Sequence, residues 1–218
     1  MKLLLVRHGQ TDWNLNQRFQ GQSDVQLNEA GVQQATALAK RLAHDHIDVL
    51  FTSDLQRAHG TANIIAAHHA CEIRVDTRLR EINFGAWEGL TYDEIKQSDP
   101  ATLAAWEADI STTAAPNGET LNQLTARVES FLNDLHSQHA DQTILIAAHG
   151  GPLQILLCLA LNLSPSKYWQ FHLAPASLSE IAFYPAGAIV NLLNDTCHLS
   201  PTRPPKGEGS SRLPMEEG

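Results

Sequence analysis

This 218-residue chain is poor in cysteine, in positive charge and in long apolar runs. Each shortage narrows its chemistry. Cys71, Cys158 and Cys197 are an odd number without close spacing. That excludes a disulfide framework and a cysteine zinc site, and fits reduced thiols in a cytosolic protein. Lysine and arginine total 15 against 24 aspartates and glutamates, a net charge of -9. Nucleic acid and anionic membrane surfaces are therefore not expected partners. An anionic substrate is repelled at long range, so a local cluster of cations has to capture it. No apolar run is long enough to span a membrane, and Met1 leads through Lys2 straight into a strand-like segment, leaving no room for a signal peptide. The expected location is the cytoplasm. His44, His46, His68 and His69 lack an Asp/Glu/Cys framework and read as solvated helix-end residues rather than a metal site. No carboxylates cluster in a way suited to magnesium, so neither a metal nor a cofactor is expected. There is no internal repeat.

What is present reads as one α/β domain over residues 1–199, with a disordered tail rich in proline, glycine, serine and charge over 200–218. With 43% hydrophobic residues the chain can bury a sizeable core. Leu3–Val6, Ile47–Phe51, Glu72–Val75 and Ile144–Ala148 read as strands, the third at an edge. Helices are expected from Asn28 to about Ala43, with Val32, Ala35, Leu38, Ala39 and Leu42 inward, and from about Leu55 to Ala67 behind a Thr52-Ser53-Asp54 cap. A long amphipathic helix carries Leu121, Leu124, Val128, Phe131, Leu132 and Leu135 on one face. Gly150–Leu161 is apolar nearly all round and should be buried, with Pro152 in its first turn. Leu178–Tyr184 and Ala188–Leu193 form a closing hairpin. Strands alternating with helices imply a three-layer α/β/α fold around a mainly parallel sheet.

The polar residues fall at telling places on this scaffold. Arg7-His8-Gly9 follows the first strand, and His149-Gly150-Gly151 follows the 144–148 strand. Arg57 lies in the first turn of the helix after the second strand. If these strands are parallel, Arg7, His8, Arg57 and His149 gather at their carboxyl ends, where ligands bind in open α/β sheets. The helix opening at Gly150 adds free backbone N–H groups and the positive end of its dipole. Two guanidiniums, two imidazoles and a helix N-terminus make an anion pocket suited to phosphate oxygens.

Leu5-Val6-Arg7-His8-Gly9-Gln10-Thr11-Asp12-Trp13-Asn14 resembles the opening motif of the histidine phosphatase superfamily, the phosphoglycerate mutase-like proteins. Arg18-Phe19-Gln20-Gly21 with Asp24, Leu27 and Gly31 resembles the family's first substrate loop. Thr52 to Ala58 resembles its second arginine motif, Leu79 to Gly89 the segment carrying its acid, and Ala148 to Gly151 its second histidine motif. The resemblance covers residues 2 to 195. It implies a phosphohistidine on His8, phosphoryl oxygens held by Arg7, Arg57 and His149, and Glu81 as the acid that protonates the leaving alkoxide and then activates water. It implies substrate contacts from Asn14, Gln20, Gly21 and Gly150. Glu88, further along the same loop, is the rival acid and ranks second by motif alignment. For Gln20 and Gly21 a plain turn is the alternative, and for Ser177 a structural role is equally good. Trp87 reads as core. The 100–118 segment, with Trp106, is a candidate lid over the alcohol half of the substrate.

Three branches of the family compete. The mutase branch usually carries an insertion after the acid motif, and here Leu90–Ile95 runs directly into a short helical region. Pro116-Asn117-Gly118-Glu119-Thr120 before a long helix resembles the α-ribazole phosphatase branch, of cobalamin nucleotide-loop assembly. The rest resembles broad-specificity acid phosphatases equally well. A non-catalytic phosphate-binding relative would normally have lost His8, Arg57, Glu81 or His149, and all four are present. The expected partner is a small phosphorylated metabolite; a homodimer is left open.

Overall fold

The computed structural model describes residues 1–199; the tail expected from Ser200 onward lies outside the described residues. The chain runs β1 (Lys2–Arg7), α1 (Asp12–Leu15), α2 (Glu29–Leu42), β2 (Val49–Thr52), α3 (Gln56–Ala66), β3 (Glu72–Val75), α4 (Tyr92–Ser98), α5 (Pro100–Ala108), α6 (Leu121–Gln138), β4 (Thr143–Ala148), α7 (Gly150–Ala160), β5 (Leu178–Tyr184) and β6 (Gly187–Asp195). The six strands form one sheet in the order β3-β2-β4-β1-β5-β6. β3, β2, β4 and β1 are mutually parallel, and β5 and β6 close the sheet as an antiparallel hairpin.

The two faces of β1 explain the layers. Successive side chains of a strand point to opposite faces. Leu3 and Leu5 join a core with α6 and α7, whereas Leu4 and Val6 join a second core with α2 and α3. Every strand buried on both faces needs apolar residues throughout, which is why 3–6 and 144–148 read as continuous apolar runs. β1 and β4 are neighbours with Arg7 paired to Ala148, so the residues that follow, His8 and His149, leave the sheet side by side.

Two local expectations need correction. Val32 is 45% exposed, not inward. The buried positions of α2 are Gly31, Ala35, Leu38, Ala39 and Leu42; Gly31, which has no room for a Cβ against the Gln10 backbone, takes the inward place in the first turn. The start of α3 is not capped by Thr52-Ser53-Asp54. Its N-cap is Leu55, without a side-chain bond, and Asp24 reaches over from a distant loop to accept the Gln56 N–H at 2.7 Å. The local residues are used otherwise. Thr52 donates to the Ala147 carbonyl at 3.0 Å, and Asp54 forms a fork with Arg80. No described helix is long and apolar enough to cross a membrane.

Candidate active site

The carboxyl ends of β1, β2 and β4 bring Arg7, His8, Arg57 and His149 together. His8 and His149 are buried, and their rings stand edge to face with centroids 5.2 Å apart. His8 Nδ1 lies 2.7 Å from the Gly9 carbonyl. A carbonyl only accepts, so Nδ1 carries the proton and Nε2 keeps the lone pair. Burial, then the Arg57 and Arg7 charges, hold the His8 imidazole well below its ordinary value; the Gly9 bond opposes this. The same causes, burial first, hold His149 well below the ordinary range. Both rings are neutral at pH 7.

The guanidiniums are fixed by main-chain carbonyls. Arg57, fully buried, donates from Nη1 to Ser23 O at 2.8 Å and from Nη2 to Gly21 O at 2.6 Å. Arg7 donates from Nη1 to Leu173 O. Burial pulls both guanidiniums below their ordinary value, and Glu81 pulls them back up. Four of the five buried side-chain polar atoms without a partner among the described residues lie here: Arg7 Nε, Arg57 Nε and both ring nitrogens of His149. Unpaired buried polar groups are costly and rare. Their concentration at one point marks a place built to take an oxyanion.

The N-terminus of α7 meets the Glu81 carboxyl. The Gly151 N–H donates to Glu81 Oε1 at 3.0 Å, and the Ile82 N–H donates to the same oxygen at 2.9 Å. The Glu81 carboxyl thus sits at the dipole end of α7 through Gly151, next to the Gly150 expected as a substrate contact. Gly150 lies between that carboxyl and Arg7. A Cβ on Gly151 would fall 2.4 Å from Glu81 Oε1, so any larger residue here displaces the Glu81 carboxyl.

A cleft of about 270 Å³ is lined by Arg7, His8, Asn14, Gln20, Gly21, Arg57 and Glu81, while His149, fully buried behind His8, and Gly150 are not part of its lining. Asn14 ends its carbonyl side in a capping box with Thr11, which leaves its amide nitrogen for the cleft. Gln20 Oε1 is taken by the Thr11 hydroxyl at 3.0 Å, so it too presents its amide. The rest of the lining is Gln17, which the sequence did not point to, Arg18 and Phe19 of the expected substrate loop, and Phe84 of the acid segment. The 100–118 segment contributes nothing to this lining. Trp106 packs on Trp87 and on the cleft residue Phe84, beside a small core with Leu103 and Ala115. A wider opening of about 970 Å³ beside α1 and α2 carries Asp12, Asp24 and Glu29 and no cation, which suits no phosphate.

Glu88, the rival acid, lies outside the lining and is fully engaged. It accepts from Gln22 N at 2.8 Å, Ser23 Oγ at 2.6 Å and Phe84 N at 3.2 Å. It ties down the loop whose carbonyls hold Arg57. Gly21, at φ +51°, lets that loop turn against Glu88. Ser177 is buried, and its carbonyl receives the Arg7 N–H at 3.3 Å. His44, His46 and His68 are exposed. Among the described residues no three His, Cys, Asp or Glu side chains are grouped to hold a metal ion. Sequence reasoning passed over Arg127, which contacts the Glu81 main chain. The signal was there: 127 lies between Leu124 and Phe131 at helical spacing, a charge inside an apolar stripe.

Comparisons with known proteins place the chain in a family. The model of the histidine phosphatase superfamily (branch 1) matches residues 3–196. The chain is 34% identical over 199 residues to phosphoserine phosphatase 1 of Hydrogenobacter thermophilus, covering 91% of this chain and 94% of that protein. It is 36% identical over 176 residues to glucosyl-3-phosphoglycerate phosphatase of Mycobacterium tuberculosis, covering 77% and 78%. The crystal structure of the α-ribazole phosphatase from Shigella flexneri superposes with a TM-score of 0.85 at 28% identity, covering 90% of this chain and 97% of that one. With the match running through β1, both histidine loops and the Glu81 segment, the chain belongs to the histidine phosphatase superfamily.

Proposed function

We propose that residues 1–199 form a phosphomonoesterase that works through a phosphohistidine on His8. The observation that carries this reading is the tautomer of His8. A neutral imidazole with Nδ1–H committed to Gly9 O presents an Nε2 lone pair in the same cleft as two buried guanidiniums. Nε2 attacks phosphorus, forming the N–P bond as the ester P–O bond breaks. Arg7, Arg57 and His149 take the charge on the phosphoryl oxygens. Glu81 gives its proton to the departing alkoxide. Its Oε1 accepts the Ile82 and Gly151 N–H groups, and the Gly151 N–H also lies 3.4 Å from Oε2, so backbone donors hold the carboxyl in place. The same carboxylate then takes a proton from water, whose oxygen attacks phosphorus and frees Nε2. Asn14, Gln20 and Gly21 serve as neutral contacts at the cleft wall, and Gly150, beside Arg7 and Glu81, serves as a main-chain contact to the phosphoryl group. The arginines supply the charge that a metal would otherwise bring, so turnover is expected to survive exhaustive chelation.

The substrate is a small phosphorylated metabolite, with α-ribazole 5′-phosphate among the better ones. The Pro116–Thr120 motif and the Shigella structure support that choice; phosphoserine and glucosyl-3-phosphoglycerate are named for the other relatives. Hydrolysis rather than mutase chemistry is supported by the direct passage from Leu90 into α4, with no insertion. The test is a panel of these esters with p-nitrophenyl phosphate and 3-phosphoglycerate. Phosphate release with a preference for α-ribazole 5′-phosphate is expected. Interconversion of 2- and 3-phosphoglycerate without release would overturn the hydrolase. Equal kcat/KM on all simple esters would make this a broad-specificity phosphatase.

A further inference from the structure

Resting on the reading of Glu81 as the acid–base group, we propose that Arg127 is the positioning residue for its carboxyl, with Glu119 holding Arg127 in place. Residues 81–84 belong to no helix or strand, so no ladder of backbone bonds fixes where Glu81 stands. An ion pair does this instead. Arg127 donates from Nε to Glu119 Oε1 at 2.7 Å and from Nη2 to Oε2 at 2.9 Å, a bidentate fork. Its remaining reach goes to main chain. Nη2 donates to Glu81 O at 3.0 Å, and Nη1 donates to Arg78 O at 2.6 Å. Glu119 adds a further hold, accepting the Asn83 N–H at 3.2 Å, while its own N–H donates to Asn83 O at 2.8 Å.

The backbone is thus pinned before, at and after Glu81. Both side chains are largely buried, at 18% and 14% exposed. Exposed ion pairs contribute little. A shielded, bidentate arginine keeps its geometry and is not replaceable by lysine. On the other side of Glu81, Gln22 Nε2 also donates to its carbonyl, at 3.2 Å, from the loop that holds Arg57. The acid is suspended between α6 and the phosphate-binding loop. This gives the Glu119 of the 116–120 motif a physical task on the catalytic side of the molecule.

The experiment measures kcat on glycerol phosphate, whose alkoxide needs a proton, and on p-nitrophenyl phosphate, whose phenolate needs little. Arg127→Met is expected to lose about 10- to 100-fold on glycerol phosphate, the scale of a small misplacement of a reacting group, and far less on p-nitrophenyl phosphate. Arg127→Lys and Glu119→Gln, milder changes, should show the same selectivity at smaller size. In a Glu81→Gln background, Arg127→Met should add almost nothing on glycerol phosphate. Turnover of p-nitrophenyl phosphate reports that fold and phosphate pocket are intact in each variant. Equal losses on both esters, or losses that multiply with those of Glu81→Gln, would overturn the positioning role and leave the reading of Glu81 standing. A Glu81→Gln enzyme with no leaving-group dependence would overturn both.

Discussion

At His8 the chemistry turns on a single carbonyl. Without Gly9 O the proton could sit on either ring nitrogen; with it, the lone pair is assigned to Nε2. Glu81 and Glu88 show the same dependence on immediate partners. Both are carboxyls of one loop, yet one lines the cleft and the other spends its oxygens on Gln22, Ser23 and Phe84. Glu81→Gln should therefore lose ~10²–10⁴-fold on alkyl phosphates, the usual cost of removing a general acid, with a much smaller loss on p-nitrophenyl phosphate. Glu88→Gln should loosen the 20–24 loop, costing about 1–3 kcal/mol of stability, and raise KM for both esters alike. Steady-state kinetics on the two esters decides: a leaving-group effect in Glu88→Gln larger than in Glu81→Gln would transfer the acid role. The motifs placed both carboxyls in one loop, and of the two Glu81 lines the cleft. They could not show Glu88's duties, because its three partners come from two chain segments.

At the scale of elements, α7 deserves comparison with what a phosphate site usually takes from a helix. At its N-terminus the Gly151 N–H holds a carboxyl belonging to the protein. Gly151→Ala places a methyl where Glu81 Oε1 lies and should push the acid off the helix. Alkyl phosphate turnover is expected to fall at least ~10-fold, on the scale that misplacement of a reacting group costs, with p-nitrophenyl phosphate largely spared. Unchanged alkyl phosphate kinetics would show that this contact does not place the acid. The elements themselves were legible. The runs 3–6 and 144–148 are apolar throughout because both sheet faces are covered, and the stripe on α6 follows from its one buried face. What could not be read was non-local: Asp24 capping α3, and the Arg127–Glu119 fork reaching Glu81. Each joins residues that no periodicity relates.

At the scale of the whole molecule, the site costs stability in acid. His8 and His149 titrate well below 6.5 when folded, through burial and the neighbouring arginines. The unfolded chain takes up protons as pH falls through that value while the folded chain does not. Linkage then makes stability complete above about pH 6.5 and lost progressively below it. His69, His136 and His198 are lowered too and add to the slope. The depressed carboxylates, such as Asp54 and Asp195, act only near and below the ordinary carboxylate range. Thermal unfolding between pH 8 and 5 should show Tm falling below about 6.5, less steeply in His149→Gln. A flat profile would mean the imidazoles are not held neutral.

The central claim is that His8 becomes phosphorylated, and one measurement bears on it most directly. The enzyme is mixed with a labelled phosphate ester, quenched in alkali, where phosphohistidine survives, and digested to map the label. The account predicts label on the peptide carrying His8, and none in His8→Ala, which should also lose turnover. Label on another residue, or near-normal turnover by His8→Ala, would contradict it.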